Sequence, residues 1–249
     1  MKFLGIDLGW QSGASGLCCL TWQDDALHIK DLTRLDDIQS VLSWIDVLAP
    51  ESDPALVAVD APTLIPNEGG MRLPDRLAHR YFGRYHAGCY PANLGRPFAQ
   101  RTVSFGLSLE GRQFAHAPTI QAQMPGRYQI EVFPHAAMVN LFNLPRILKY
   151  KKGKLAERRA ELTRLHQLIL TKLSVADPPL NVSPLAALTI PERGAALKHL
   201  EDRLDSLICA YVAAHWWHWG KQRNWVLGDR AAGYIVVPVP NGSPPTQAS

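Results

Sequence analysis

The chain has 249 residues, 47% of them hydrophobic, with a net charge of +4 and four cysteines. That is ample apolar material for one large core or two small ones, and the charge permits a polyanionic partner without demanding one. Cys18, Cys19, Cys89 and Cys209 show no CxxC or paired spacing, which argues against a disulfide framework or a zinc site. No run has the length of a signal-peptide core or a membrane span, so the expectation is a cytoplasmic protein with reduced thiols and no membrane partner.

In chain order, KFLGIDLG (2–9) and SGLCCLTW (15–22) are short apolar runs separated by the turn-prone QSGAS, and ALHIKDL (26–32) alternates like a third strand. The spacing predicts a three-stranded antiparallel meander. Asp36 is a plausible N-cap for a helix in which Ile38, Val41, Leu42, Ile45 and Leu48 recur at helical spacing until Pro50. ALVAVDAP (55–62) reads as a strand buried on both faces, as in a parallel sheet. The stretch from about 63 to 126 is rich in Gly, Pro, Arg and aromatics, with a clean period only in RLPDRLAHRYFGR, and is read as a long insertion. RYQIEVFPHAAM (127–138) runs from strand into helix. Residues 154–173 form a basic amphipathic helix with Leu155, Leu162, Leu165, Ile169 and Leu173 inward. A last long helix begins near Pro191 and becomes apolar all round by LICAYVAA, which requires deep packing. WVLGDRAAGYIVVPV predicts a closing hairpin, and residues 241–249 a disordered tail. The fold class is α/β: a meander plus parallel strands in one mixed sheet, flanking helices, and one domain over 1–240 with its insertion after the fourth strand.

Two of these strands end on an acid. In an open α/β sheet ligands bind beyond the carboxyl ends of the strands, and a right-handed crossover from the meander can set the fourth strand beside the first. Asp7 and Asp60 then become neighbours, and neighbouring carboxylates repel unless a proton or cation lies between them. An oxygen-rich site of this kind suits Mg²⁺ or Mn²⁺. In the last helix Asp202 and Asp205 are three apart; Asp205 flanks the apolar stripe and is the better candidate, with Asp202 as the outward alternative. Glu131 closes another strand and is a candidate for direct or indirect support of the metal. A strand-end aspartate such as Asp7 or Asp60 can equally cap a helix or a turn, Asp202 can be a solvated helix residue, and Glu131 can equally satisfy an arginine from the insertion.

Cations for substrate are also present. Arg72, Arg76, Arg80 and Arg84 recur every four residues beside Tyr81, Phe82 and Tyr85, a stripe suited to phosphate and base contacts if the segment is helical. Lys149, Lys151, Lys152, Lys154, Arg158 and Arg159 form a second patch, of which Lys151 and Lys152 are the candidate phosphate contacts. Both patches also fit a solvated face. His79, His86, His116 and His135 lie in or beside the insertion as candidates for proton transfer, with a structural role the commoner reading, and the tryptophans at 216, 217, 219 and 225 read as packing or a partner surface.

GIDLG on the first strand, an acid closing the fourth, and D-x-x-D in the final helix resemble the RNase H-like fold, with the last motif similar to RuvC-type Holliday-junction resolvases. GIDLGW, AVDAP, MRLPDR, IEVFP, the YKKG run and LEDRLDSLICAYVAA resemble, across nearly the whole chain, the uncharacterised family called domain of unknown function 429, described as predicted RNase H-fold nucleases. The resemblance implies metal-assisted phosphodiester hydrolysis, with Asp7, Asp60 and Asp205 matching the acidic core and holding two Mg²⁺ or Mn²⁺ ions, and nucleic acid or a nucleotide as substrate. The insertion stands where it can roof the crevice, which favours a nucleotide or a flipped end over a duplex. The alternatives are a noncatalytic nucleic-acid or nucleotide binder, and an ATP-dependent phosphotransferase of the actin or sugar-kinase type. The latter lacks a second Asp-x-Gly loop here, and neither a P-loop nor GxGxxG occurs.

Overall fold

A computed structural model describes residues 1–240, so the tail expected at 241–249 lies outside the described residues. The elements follow in the order β1 (Lys2–Asp7), β2 (Ser15–Gln23), β3 (Ala26–Leu35), α1 (Ile38–Leu48), β4 (Ala55–Val59), α2 (Leu73–Phe82), α3 (Ala99–Glu110), β5 (Ala115–His116), β6 (Arg127–Glu131), α4 (Pro134–Leu141), α5 (Leu155–Lys172), β7 (Leu180–Asn181), α6 (Ser183–Ala186), α7 (Gly194–Trp219), β8 (Asn224–Asp229) and β9 (Gly233–Pro238). The sequence places most of these correctly. The cap of α1 is Asp37, whose carboxylate accepts from the Ser40 N–H at 2.8 Å, one residue later than expected. Leu155 is 41% exposed, because it opens α5 before that helix reaches the core. The insertion is more regular than its composition suggests, since it contains α3 as well as α2. Ser104 and Ser108 on the outer face of α3 disguise a helix that buries Thr102, Phe105, Gly106 and Leu109.

The first sheet has seven strands in the order β5-β6-β4-β1-β2-β3-β7, and β8 pairs with β9 in a separate hairpin. β1, β2 and β3 form the antiparallel meander. β4 lies parallel to β1 with Ile6 opposite Val59, and β6 lies parallel to β4 with Val59 opposite Glu131. This register carries Asp7 and Asp60 side by side past the ends of their strands, at the carboxyl edge where crossover sheets open into a crevice.

Alternation along the strands separates two packed faces. Leu4, Ile6, Val57 and Val59 turn toward α1 and α3, where they meet Val41, Ile45, Phe105 and Leu109. Phe3, Leu56 and Ala58 turn the other way, toward α7, α4 and α5. Full burial of Leu204, Leu207 and Ile208 on α7 contributes roughly 1.5–3 kcal/mol each. Helix α7 lies almost on the backbone of β1 and β2: a Cβ added at Gly5 would be 2.0 Å from the Ser206 carbonyl oxygen, and one at Gly16 would be 1.9 Å from that of Asp202. Because Gly16 pairs with Asp7, these two glycines bring the acidic turn of α7 down to the end of β1. Among the described residues no helix is long and apolar enough to cross a membrane.

Candidate functional site

A pocket of about 390 Å³ opens at the carboxyl edge of the sheet. Asp7 and Asp60 reach it from β1 and the end of β4; Trp10 comes from the β1–β2 turn, Arg72, Asp75, His86, Cys89 and Tyr90 from the insertion, Glu131 from β6, Phe133 and His135 from the start of α4, and Lys151 from the loop before α5. The indole of Trp10 donates to the Asp60 carbonyl at 2.7 Å and stands edge-on to Phe98 at 4.8 Å, which fixes one wall.

Below the floor, Asp205 is fully buried. Tyr150 donates its hydroxyl proton to Asp205 Oδ1 at 2.5 Å. Lys151 Nζ stands 2.6 Å from Asp205 Oδ2 and 4.0 Å from Asp7 Oδ1. The shorter contact is an ion pair whose angles fall outside hydrogen-bond geometry, so the buried Oδ2 has no hydrogen bond. Burial pushes Asp7 well above the usual carboxylate range against the pull of Lys151, with Asp205 and Asp60 repelling its charge. Burial likewise pushes Asp60 up to about 7, opposed by Lys151 and reinforced by Asp205. For Lys151 burial works against the charged form, but Asp205 and Asp7 outweigh it and hold the ammonium's pKa well above its ordinary value. His135 is the opposite case: burial and the neighbouring ammonium lower it to about 4, and its buried Nδ1 has no partner.

The remaining candidates are engaged elsewhere. Asp202 is buried rather than outward, and it accepts from Arg34 Nε at 2.9 Å and from Lys198 at 2.5 Å. Glu131 lines the pocket, but both its oxygens accept from Arg72, at 2.6 and 2.8 Å. Arg72 is no part of an exposed stripe: it sits at the start of α2, 3% exposed, and also donates to Asp75 at 2.8 Å and to the Leu64 carbonyl at 2.9 Å. This network ties the insertion to β6. Burial raises Glu131 to about 7 even against Arg72. Arg76 and Arg80 remain exposed on α2, whereas Phe82 is buried and Tyr81 half-buried, their rings 6.2 and 5.8 Å from Trp225; they pack inward and leave no stacking platform there. Lys152 is exposed beside Lys151. The sequence names Lys151 for phosphate, and its seat among the acids is missed, as is that of Tyr150; the available signal is the apolar Leu148 and Tyr150 alternating within a basic run, which turns this loop inward.

Among the described residues no three His, Cys, Asp or Glu side chains form a ready-made metal-ligand group. The donor chemistry still suits a hard divalent ion: the pocket's two acids, Asp7 and Asp60, present oxygen only, above the buried Asp205–Lys151 pair.

No curated protein matches the chain. The family model described as Protein of unknown function (DUF429) matches residues 5–229, and the chain belongs to that family.

Proposed function

We propose that the protein is a metal-dependent nuclease or phosphodiesterase acting on a nucleotide or a flexible single strand, built on an RNase H-like domain. The fold reading is supported by the meander of β1, β2 and β3 with β4 and β6 added in parallel beside β1, and by an acid-bearing helix, α7, laid across β1. The observation that carries the reaction is a cluster of acids short of cations: Asp7 and Asp60 line the pocket from the ends of β1 and β4, Asp205 lies beneath them on α7, and Lys151 contacts Asp205 at 2.6 Å and stands 4.0 Å from Asp7. Burial and mutual repulsion hold the two open carboxyls toward their protonated forms, and a divalent cation that displaces those protons relieves both. Asp7 and Asp60 would hold Mg²⁺ or Mn²⁺, and the bound ion supplies an acidified water and positive charge for the phosphate oxygens.

The chain's own groups supply orientation. Trp10, held by the Asp60 carbonyl, and Tyr90 and Phe133 offer aromatic surface for a base, and Lys152, Arg76 and Arg80 are the exposed candidates for flanking phosphates. His86, Gly88, Cys89 and Tyr90 border the pocket from the insertion, and a volume of about 390 Å³ suits one nucleotide. The seating of Lys151 among the acids favours one second reading, a noncatalytic nucleotide binder that uses the lysine in place of a metal.

The test is cleavage of labelled single-stranded, duplex, hybrid and branched nucleic acids with Mg²⁺ or Mn²⁺, comparing wild type with Asp7→Asn of matched circular dichroism. Metal-dependent cleavage of short single strands that falls to background in the variant supports the proposal. Cleavage that survives Asp7→Asn contradicts it.

A further inference from the structure

We infer that the site takes one divalent cation per chain, between Asp7 and Asp60, and that the Lys151 ammonium permanently fills the place beside Asp205. The inference rests on the metal-dependent reading above and replaces the pair of ions that three converging carboxylates suggest. Four observations support it.

Asp205 has no route to the pocket, because its side chain is fully buried, whereas Asp7 and Asp60 line the cavity. Both Asp205 oxygens are already engaged, Oδ1 by the Tyr150 hydroxyl at 2.5 Å and Oδ2 by Lys151 Nζ at 2.6 Å. The segment that supplies both groups is anchored: Tyr150 is fully buried, and its carbonyl accepts from Arg158 Nε at 3.0 Å, with Arg158 in turn on Glu201 at 3.3 Å. Lys151 therefore hangs from a fixed point. Finally, Lys151 stands 4.0 Å from Asp7, near enough to attract it and too far for a hydrogen bond, so Asp7 keeps its oxygens open to the cavity.

Lys151 then does two things. It neutralises Asp205 without the geometric demands of a second ion, and it places a fixed positive charge beside the substrate phosphate. Tyr150 is a positioning residue that orients Asp205 toward the ammonium.

The experiment is a calorimetric titration of the metal-free protein with Mn²⁺, without substrate, checked by electron paramagnetic resonance of free Mn²⁺. Wild type and Lys151→Arg, which keeps the charge, are expected to bind one ion, and Asp7→Asn none at micromolar to low-millimolar metal. Lys151→Met frees Asp205 and is expected to bind Mn²⁺ at least about 10-fold more tightly or with a second equivalent. Two ions on wild type overturn the inference while leaving the metal-dependent reading intact. No ion on wild type overturns both. If Lys151→Met does not fold, one ion on wild type and on Lys151→Arg still supports the inference, and a second equivalent on Lys151→Arg contradicts it.

Discussion

The pocket borders two buried charge clusters. Around Arg72, two carboxylates share one guanidinium whose donors are fully used, on Glu131, Asp75 and the Leu64 carbonyl. Around Lys151, three carboxylates share one ammonium that reaches only Asp205 at contact distance, and two of the three open to the cavity. Both clusters cost desolvation. The first is matched by geometry, so it behaves as a latch joining the insertion to the sheet; in the second, the two acids that open to the cavity lack a hydrogen-bonded counter-charge and hold protons that a cation can displace. Perturbed acids alone do not separate the two, since Asp60 and Glu131 are both raised to about 7 by burial. The separating feature is whether every donor and acceptor already has a partner.

The contrast predicts different responses to substitution. The Lys151 cluster depends on α7 reaching the sheet, so the largest effect belongs to Gly5→Ala or Gly16→Ala, where the added methyl meets helix backbone; we expect a loss of about 3 kcal/mol or more in urea denaturation. Arg72→Met leaves Glu131 and Asp75 buried without a counter-charge and should cost about 3–5 kcal/mol, with no recovery on adding Mg²⁺ or Mn²⁺. Lys151→Met likewise leaves the fully buried Asp205 without its counter-charge and should cost about 3 kcal/mol, but here divalent ions should restore part of the loss. Equal rescue of both variants, or of neither, would erase the distinction between latch and site.

Acidity sharpens the same comparison. Asp60 keeps its proton to about 7 in the folded state, against an ordinary value of 3.8, so between about pH 4 and 7 the native protein binds more protons than the unfolded chain. Stability of the metal-free protein should therefore fall as pH rises through that window, on the order of 1 kcal/mol per pH unit. Glu131, also raised to about 7, adds in the same direction. Asp60→Asn should remove its share of the slope and leave that of Glu131, and saturating Mg²⁺ should lessen the slope for wild type; urea midpoints from pH 4 to 8, with chelator and with Mg²⁺, check both. The smallest effect is expected for Arg76→Ala and Arg80→Ala, exposed on α2, which should change stability by less than about 0.5 kcal/mol and act, if at all, on KM for a strand longer than one nucleotide.

Much of this was legible in the sequence. Strand ends in GID and VAVD placed Asp7 and Asp60 side by side because the meander and crossover leave few alternatives for β4, and helical periodicity put Asp205 beside the buried stripe. The misreadings share a cause. Arg72 and Asp202 belong to patterns that look solvent-facing, a four-residue arginine stripe and an outward helix position, but each is buried by a partner remote in sequence, Glu131 for the first and Arg34 for the second. Periodicity reports the face of an element and is silent about what another element brings to it. Lys151 shows the same limit: a lysine in a basic run reads as a phosphate contact, and only tertiary contact sets its ammonium on Asp205.

The most direct test of the central claim is anomalous diffraction from crystals soaked in Mn²⁺. The account predicts one peak within carboxylate-bonding distance of Asp7 and Asp60, with Lys151 still on Asp205. Full soaking with no peak at these two acids, or a peak in place of the Lys151 ammonium, would contradict it.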